Sequence, residues 1–563
     1  MRVPTLPILG WIRGYDRTWL RLDVLAGITV LALLVPEGMA YAQLAGMPPQ
    51  AAFYAAPIGL VAYAILGTSR QLVVAVSSTV AVLSAAAVGA LGPADAVQYA
   101  ALTGALAIIA GGLSILAGLL RAGRLARFFS ESVLVGFVFG LALVIAVKQV
   151  PKILGIPGGG EDFFERVWII AGQLPQVHLP TAAVGITALA VLIVLERRFE
   201  RIPAALVVLV GGIAASALLG LEARHVEVVG AIPGGLAAPR IPAVSLQDLA
   251  LLLPAAAGIT LINFAEAYGP ARTFAAAHER RVDADQELVA LGAANVGAGL
   301  MQGFAIGASL SKSAANDRAG AKTPLSLIVA AVATLGVALF LTPLFGPLPE
   351  AVLGAIVIVA VSGMMKVAVV RRLWSLNRPD AWLALVALLG VLVLDVELGL
   401  VVAIVMSLGA LVWRTSLGPV SVLEEDPTTG RFRVRQGAAA TAPNADPLIL
   451  RPDEPLAFVN ADGVHDRVVA MASSGGHVPS RVVLDLEASA TLDVPSIDML
   501  AELAVELERL GSELALARTH APVRALLAAA GLTEDGGGRV AVHDRVGDAA
   551  APIALTPPGR SRA

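Results

Sequence analysis

Lys312 is the residue that most sharply constrains this chain. It lies in Gly303-Phe304-Ala305-Ile306-Gly307-Ala308-Ser309-Leu310-Ser311-Lys312-Ser313, where one cation and three hydroxyls sit among glycines in a sequence otherwise built of lipid-soluble residues. A charged side chain at membrane depth costs about 3 kcal/mol or more, so it marks either a pathway or an ion pair. Asn316, Asp317, Arg318 and Lys322 follow within a turn or two. No apolar run of spanning length therefore contains the segment, which is at most half a helix. A second short segment follows Gly67-Thr68-Ser69-Arg70, where 71–75 reads as extended chain before the hydroxyl-rich start Ser77-Ser78-Thr79. Serine or threonine at both starts fits helix N-capping. Short, glycine-interrupted segments at corresponding places in two halves point to a transporter site at the bilayer midplane, with half-helix N-termini offering N–H groups and positive dipole ends to an anion. The alternative is two ordinary N-caps inside a helix bundle.

Two carboxylates accompany these segments. Glu37 follows Pro36 in the first apolar run, and Glu266 lies in the apolar run 251–267. Either could pair with Lys312 in a structural ion pair. A lysine balanced by a carboxylate when empty and by an anion when loaded would couple substrate to protons. A sodium ion at Glu266 is the competing role, and a nearby positive charge on Lys312 disfavours it by Coulomb repulsion.

The elements that position these residues follow from composition. The chain has 563 residues, 57% hydrophobic and 15% charged, with a mean hydropathy of +0.79, which marks an integral membrane protein. Apolar runs near the ~20 residues needed to cross a hydrocarbon core recur from about Leu25 to about Leu417. After Gly418 charges, prolines and alternating patterns take over. The predicted organisation is an N-terminus over 1–22, a transmembrane domain over 23–417, a linker over 418–446, a soluble domain over 447–545 and a flexible tail over 546–563. Basic clusters mark cytoplasmic loops: before Leu25, at Arg70, at Arg121, Arg124 and Arg127, at Arg197, Arg198 and Arg201, at Arg272, Arg280 and Arg281, at Arg318 and Lys322, at Lys366, Arg371, Arg372 and Arg378, and at Arg414. The intervening turns are poorer in them, and Asp395 and Glu397 fall in a very short turn on the outside. Both termini are predicted to be cytoplasmic. Residues 1–23 carry four arginines and no short apolar core, and read as an interface-hugging N-terminus rather than a signal peptide.

Several chemistries are excluded. There is no cysteine, hence no disulfide, thiolate metal site or cysteine nucleophile. The seven histidines lack metal-ligand spacing, and the stretch 307–313 has no glycine before its lysine and no preceding soluble strand, so it is not a phosphate loop. No enzyme, cofactor or nucleic-acid function is expected. The net charge of −3 averages two unlike regions.

Four stretches resemble the SulP inorganic anion permeases: Asp23-Val24-Leu25-Ala26-Gly27 through Pro36-Glu37, Tyr41, Pro48-Pro49 and Gly67-Thr68-Ser69-Arg70; Phe264-Ala265-Glu266-Ala267; Gln286-Glu287 through Asn295, Ser311-Lys312-Ser313, Asn316 and Thr323-Pro324; and a C-terminal region similar to STAS domains. The resemblance implies an α-helical polytopic membrane protein with fourteen transmembrane segments as two inverted repeats of seven, a core domain moving against a gate domain, a cytoplasmic α/β STAS domain, and a homodimer. It implies that the third and tenth segments face each other across the anion, with Ser77 and Ser78 opening one half-helix and Ser309, Ser311 and Lys312 the other. Departures are Glu37 where the family usually has glutamine, Ala75-Val76 where it commonly has Gly-Pro, and Lys312 where many members have arginine, which keeps the charge but loses the bidentate fork.

In the C-terminal region 456–460 and 481–486 read as buried strands, 495–510 as a helix with Ile497, Leu500, Leu503, Leu507 and Leu510 on one face, 513–517 as a strand and 522–530 as a helix. Alternating strands and helices predict an α/β domain. Asp485 and Asp493 match the STAS pattern, whereas Val494-Pro495-Ser496 departs from that of phosphorylatable members, so a scaffold and dimer role is expected. The function expected is secondary active transport of a small inorganic oxyanion across the cell inner (plasma) membrane. Sulfate comes first, with proton symport and elevator-type movement. The alternatives are bicarbonate or dicarboxylate transport or anion exchange, and an anion sensor signalling through a cytoplasmic partner of the STAS domain.

Overall fold

Apolar composition over most of the chain forces helix, the only single-segment structure that satisfies its own backbone in lipid. The computed structural model describes residues 7–123, 131–199, 202–416, 418–426, 428–435, 446–474 and 478–551. Arg2, Arg124, Arg127 and Arg201 of the basic clusters, and the tail beyond Ala551, lie outside them. The chain divides into two compact units, 1–408 and 409–563.

In the first unit, seven stretches are long and apolar enough to cross a membrane, and Ala51–Leu66, Ser78–Gly89 and Ala204–Leu219 are shorter apolar helices. In chain order thirteen of the described helices form two runs of seven, with Arg378–Ser416 counted as two arms and Pro7–Ile12, Phe163–Gln173 and Val367–Leu376 left outside them. The first is Leu20–Leu44, Ala51–Leu66, Ser78–Gly89, Ala96–Leu119, Glu131–Leu154, Leu179–Arg198 and Ala204–Leu219; the second is Leu246–Ala277, Ala284–Leu300, Leu310–Arg318, Leu325–Gly336, Glu350–Ser362 and the two arms of Arg378–Ser416. That last helix doubles back on itself. A Cβ at Gly399 would stand 2.8 Å from the Val391 backbone, although eight residues of straight helix separate axis positions by about 12 Å. The reversal falls at the predicted short turn; the side chains of Asp395 and Glu397 lie outside the described residues.

The two runs exchange partners reciprocally. The fourth helix of the first run packs on the first and second of the other, Ala96–Leu119 against Leu246–Ala277 and Ala284–Leu300, and Leu325–Gly336 packs likewise on Leu20–Leu44 and Ala51–Leu66. The fifth and sixth helices, Glu131–Leu154 and Leu179–Arg198, gather with Glu350–Ser362 in a second group. Glycine permits the closest approaches. A Cβ on Gly111 would meet the Gly292 carbonyl at 2.6 Å, and one on Gly292 would meet the Gly111 carbonyl at 2.6 Å. Backbone cannot give way as a flexible side chain can, so Gly292→Ala should lower stability by about 2 kcal/mol, read as a lower thermal midpoint of the detergent-solubilised protein; an unchanged midpoint would contradict this packing.

Two buried carboxylates tie down the connections of the short helices. Asp23 accepts from the Lys322 N–H at 2.7 Å, the Thr323 N–H at 3.1 Å and the Thr323 hydroxyl at 2.6 Å. Glu287 accepts from the Tyr63 hydroxyl at 2.7 Å, from the Thr68 N–H and hydroxyl at 2.7 and 2.6 Å, and from the Ser69 N–H at 3.3 Å. A carboxylate saturated by donors is a fixed anchor, so these two residues of the sequence motifs serve structure.

The second unit holds a six-stranded sheet in the order Phe432–Val434, Val420–Glu425, Leu448–Pro452, Arg481–Asp485, Glu513–Ala517, Ala541–His543. Its first two junctions are antiparallel and the remaining three parallel. The helices Val494–Leu510 and Ala521–Ala529 lie where the sequence predicts them. Three expectations are corrected. The stretch 456–460 is not a strand: Asn460 accepts from the Ala457 N–H at 2.9 Å and donates to the Pro455 carbonyl at 3.0 Å, closing an Asn turn that leads into the helix Ala461–Ser473. The strand is instead Leu448–Pro452. The predicted linker supplies two strands, because Val420–Glu425 pairs with both Phe432–Val434 and Leu448–Pro452, and the predicted tail begins with a helix, Val546–Ala550, packed on the sheet. At the carboxyl ends of the parallel strands the buried Asp485 accepts from Arg451 Nε at 2.8 Å and from Arg518. Hydrogen bonding to Asp485 pushes the Arg518 guanidinium pKa up.

Candidate functional site

Each half-helix is preceded by two residues of strand, and the strands pair antiparallel, Val74 with Ala308 and Ala75 with Gly307. The two short helices start on either side of this crossing. Ser77 is the N-cap of Ser78–Gly89, and its side chain makes no cap hydrogen bond. The first-turn N–H groups there have no intrahelical partner. Ser309 is the N-cap of Leu310–Arg318, and its hydroxyl accepts from the Lys312 N–H at 3.4 Å.

The crossing is held by a dense set of hydrogen bonds. The Ser309 N–H donates to the Val73 carbonyl at 3.0 Å. Ser313 Oγ accepts from the Val73 N–H at 2.8 Å and donates to the Ser309 carbonyl at 2.6 Å. Asn316 reaches the Gln71 carbonyl at 3.1 Å. Asn263 and Asn295 both donate to the Ile306 carbonyl at 2.9 Å, and Asn295 Oδ1 accepts the Ile306 N–H at 2.9 Å. Gly307 is required between them, since a Cβ there would stand 2.7 Å from Asn263 Oδ1 and 3.0 Å from Val80.

Lys312 is fully buried at this crossing. Its ammonium pairs with the carboxylate of Glu37, lies 3.4 Å from both the Val76 carbonyl and Ser309 Oγ, and stands 5.2 Å from the centre of the Tyr41 ring, a cation–π distance. The partner of Lys312 is thus Glu37 and not Glu266. Glu266 instead accepts from the Thr79 hydroxyl at 2.9 Å, in the first turn of the first half-helix. Ser78 is buried and its hydroxyl meets Met364 Sδ at 3.2 Å. Ser311 is exposed and shares a hydrogen bond of 3.1 Å with Ser309. Asp317, which follows the lysine, pairs outside the crossing with His278 at 2.7 Å.

The structure therefore brings Ser77, Ser78, Ser309, Lys312 and Glu37 to one place, with Ser311 at its edge and Glu266 one turn away along the first half-helix. Sequence reasoning assigned no role to Tyr41, Thr79, Asn263, Asn295 or Met364. Asn263 carried a signal, as an amide one turn before Glu266 in an apolar run; Met364 carried none. Chemically, the site offers one buried cation, two helix N-termini and several hydroxyls, with one carboxylate competing for the cation. Such a set has the chemistry to hold an anion.

Comparison with known proteins gives the family. The model of the sulfate permease family matches residues 20–387, and that of the STAS domain matches 438–549. The chain belongs to the sulfate permease family. It is a multi-pass membrane transporter of anions and not an enzyme. A probable sulfate transporter of Mycobacterium tuberculosis is 35% identical over 538 residues, which cover 94% of this chain and 96% of that protein. Among solved structures, the murine Slc26a9 anion transporter in the inward-facing state aligns with a TM-score of 0.86 at 24% identity, over 97% of this chain and 93% of that one. The transmembrane domain of a cyanobacterial bicarbonate transporter, BicA, aligns with a TM-score of 0.61 at 22% identity, over 69% of this chain and 98% of its own. The two structural likenesses speak for the fold: a helical transmembrane domain of this family joined, over the full match, to a C-terminal STAS domain.

Proposed function

We propose that this sulfate permease family member is a secondary active permease that takes up sulfate with protons, by elevator-type movement of a core domain against a gate domain, with both termini in the cytoplasm. The observation that carries the reading is the buried Lys312–Glu37 pair at the N-termini of two crossing half-helices. In the empty carrier Glu37 neutralises Lys312. A proton on Glu37 frees the ammonium for an oxyanion, and the anion then takes the carboxylate's place among Ser309, Ser311 and the first-turn N–H groups of Ser78–Gly89. Glu266, held by Thr79, is the second proton carrier. One proton on each carboxylate balances a dianion, so uptake is electroneutral. Sulfate is the first substrate because relatives that match nearly the whole chain are named sulfate transporters.

Labelled sulfate uptake into proteoliposomes tests this, with an inward proton gradient, an inward sodium gradient or neither, and with unlabelled bicarbonate or succinate as competitors. Uptake stimulated by the proton gradient alone is expected. Sodium stimulation would assign the coupling ion differently, and transport of a competitor without sulfate would overturn the substrate.

The elevator element has its own test. Ser78 Oγ touches Met364 Sδ, a contact between the first half-helix and the segment leaving Glu350–Ser362 that core movement must break. The chain has no cysteine, so a Ser78→Cys/Met364→Cys disulfide is the only one that can form. Oxidation should reduce uptake at least tenfold and reductant should restore it, with each single variant unaffected by oxidation; full uptake by the cross-linked protein would refute the movement.

A further inference from the structure

We propose that the helix Val367–Leu376 lies in the membrane surface and binds the headgroups of anionic phospholipids through Arg371 and Arg372. The segment is separated from both of its neighbours. Bonds from the Lys366 N–H to the Met364 carbonyl and from the Val367 N–H to the Met365 carbonyl interrupt the ladder after Glu350–Ser362, and Asn377, with φ −148° and ψ 95°, ends the helix in extended backbone. Ten residues of helix measure about 15 Å, half of a hydrocarbon core about 30 Å thick, so the segment does not cross. Its ends are joined to Glu350–Ser362 and Arg378–Ser416.

The distribution of side chains matches a leaflet boundary. At about 100° per residue, Val367, Val369, Val370, Leu373, Trp374 and Leu376 fall on one half of the helix, and Arg371, Arg372 and Ser375 on the other. No residue of this helix is buried, and Val367, Trp374 and Leu376 are 54%, 42% and 72% exposed. Trp374 meets Trp382 edge-on at 5.6 Å, where the next crossing begins, and tryptophan favours the membrane–water boundary. An amphipathic helix with an apolar half, aromatic residues and arginines on its polar half binds in the interface, most strongly to anionic lipid.

The opposite repeat supplies the comparison that identifies the ligand. Phe163–Gln173 occupies the same place, between the fifth and sixth crossings of the first run, and also leaves an apolar face open, with Phe164 55% and Trp168 81% exposed. Its charges are Glu161, Asp162, Glu165 and Arg166, whereas 366–378 carries Lys366, Arg371, Arg372 and Arg378 with no acid. Both helices suit a leaflet surface, and only the second suits a negatively charged one.

The test is native mass spectrometry of the detergent-solubilised full chain, titrated with phosphatidylglycerol or with phosphatidylcholine of the same acyl chains, with and without inorganic phosphate. It does not depend on transport or on the anion site. Wild-type protein should retain phosphatidylglycerol preferentially, with phosphate unable to displace it. At about five-fold per arginine near an anionic surface, R371Q/R372Q should hold that lipid roughly 25-fold less tightly, and R371K/R372K should keep most of the affinity. Both arginines are exposed, so these variants should fold. Equal retention of the two lipids, unchanged retention by R371Q/R372Q, or displacement by phosphate would overturn the proposal.

Discussion

Lys312→Ala should abolish anion uptake, by roughly 30-fold or more, because removing one member of a buried charged contact costs about 2–5 kcal/mol of binding. The same substitution leaves Glu37 without its cation in a buried site, which destabilises by roughly 3–5 kcal/mol. Loss of transport alone would therefore be ambiguous. The double variant Lys312→Ala/Glu37→Gln separates the two effects: it removes the stranded charge and should recover the thermal midpoint while remaining inactive. Lys312→Arg keeps the cation and should retain transport within about tenfold, since the guanidinium suits oxyanions at least as well as ammonium does. Wild-type uptake in the double variant would remove Lys312 from the site.

Glu37→Gln should uncouple transport from protons. The glutamine amide fills nearly the same volume but cannot carry the charge that competes with the substrate for Lys312. Sulfate binding should become tighter and nearly independent of pH, and a proton gradient should no longer stimulate uptake through this residue. On the proposed mechanism a proton displaces the carboxylate from Lys312 in the native chain, so sulfate binding should weaken as pH rises. Glu266→Gln provides the contrast. Glu266 touches Thr79 rather than Lys312, so its loss should change the number of protons carried and leave sulfate affinity within a few-fold. Stimulation by the gradient that survives intact in Glu37→Gln would place the coupling elsewhere.

The half-helices were legible in the sequence because their glycines, hydroxyls and lysine interrupt an apolar background, and each such interruption in lipid needs a local reason. Which carboxylate faces Lys312 was not legible. Glu37 is 275 residues from it, both Glu37 and Glu266 sit in apolar runs, and only packing of the first helix against the tenth decides. The missed strand and the false one in the soluble domain share a cause. Short apolar runs do not distinguish strand from turn, and Asn460 closes 456–460 through contacts of its own side chain. Val420–Glu425 is hard to read within the supposed linker, because its partner Leu448–Pro452 lies beyond the linker's end. Val367–Leu376 falls within a basic cluster of the sequence, because fewer than three amphipathic turns are hard to tell from a charged loop.

Proton uptake on sulfate binding tests the central claim most directly. Purified protein in weakly buffered solution is mixed with sulfate while a pH indicator reports the protons taken up, at several starting pH values, for the native chain and for Glu37→Gln. The account predicts net proton uptake by the native chain that is clearly reduced in Glu37→Gln. Sulfate binding with no proton uptake by the native chain, or with equal uptake in the variant, would contradict the role assigned to the Lys312–Glu37 pair.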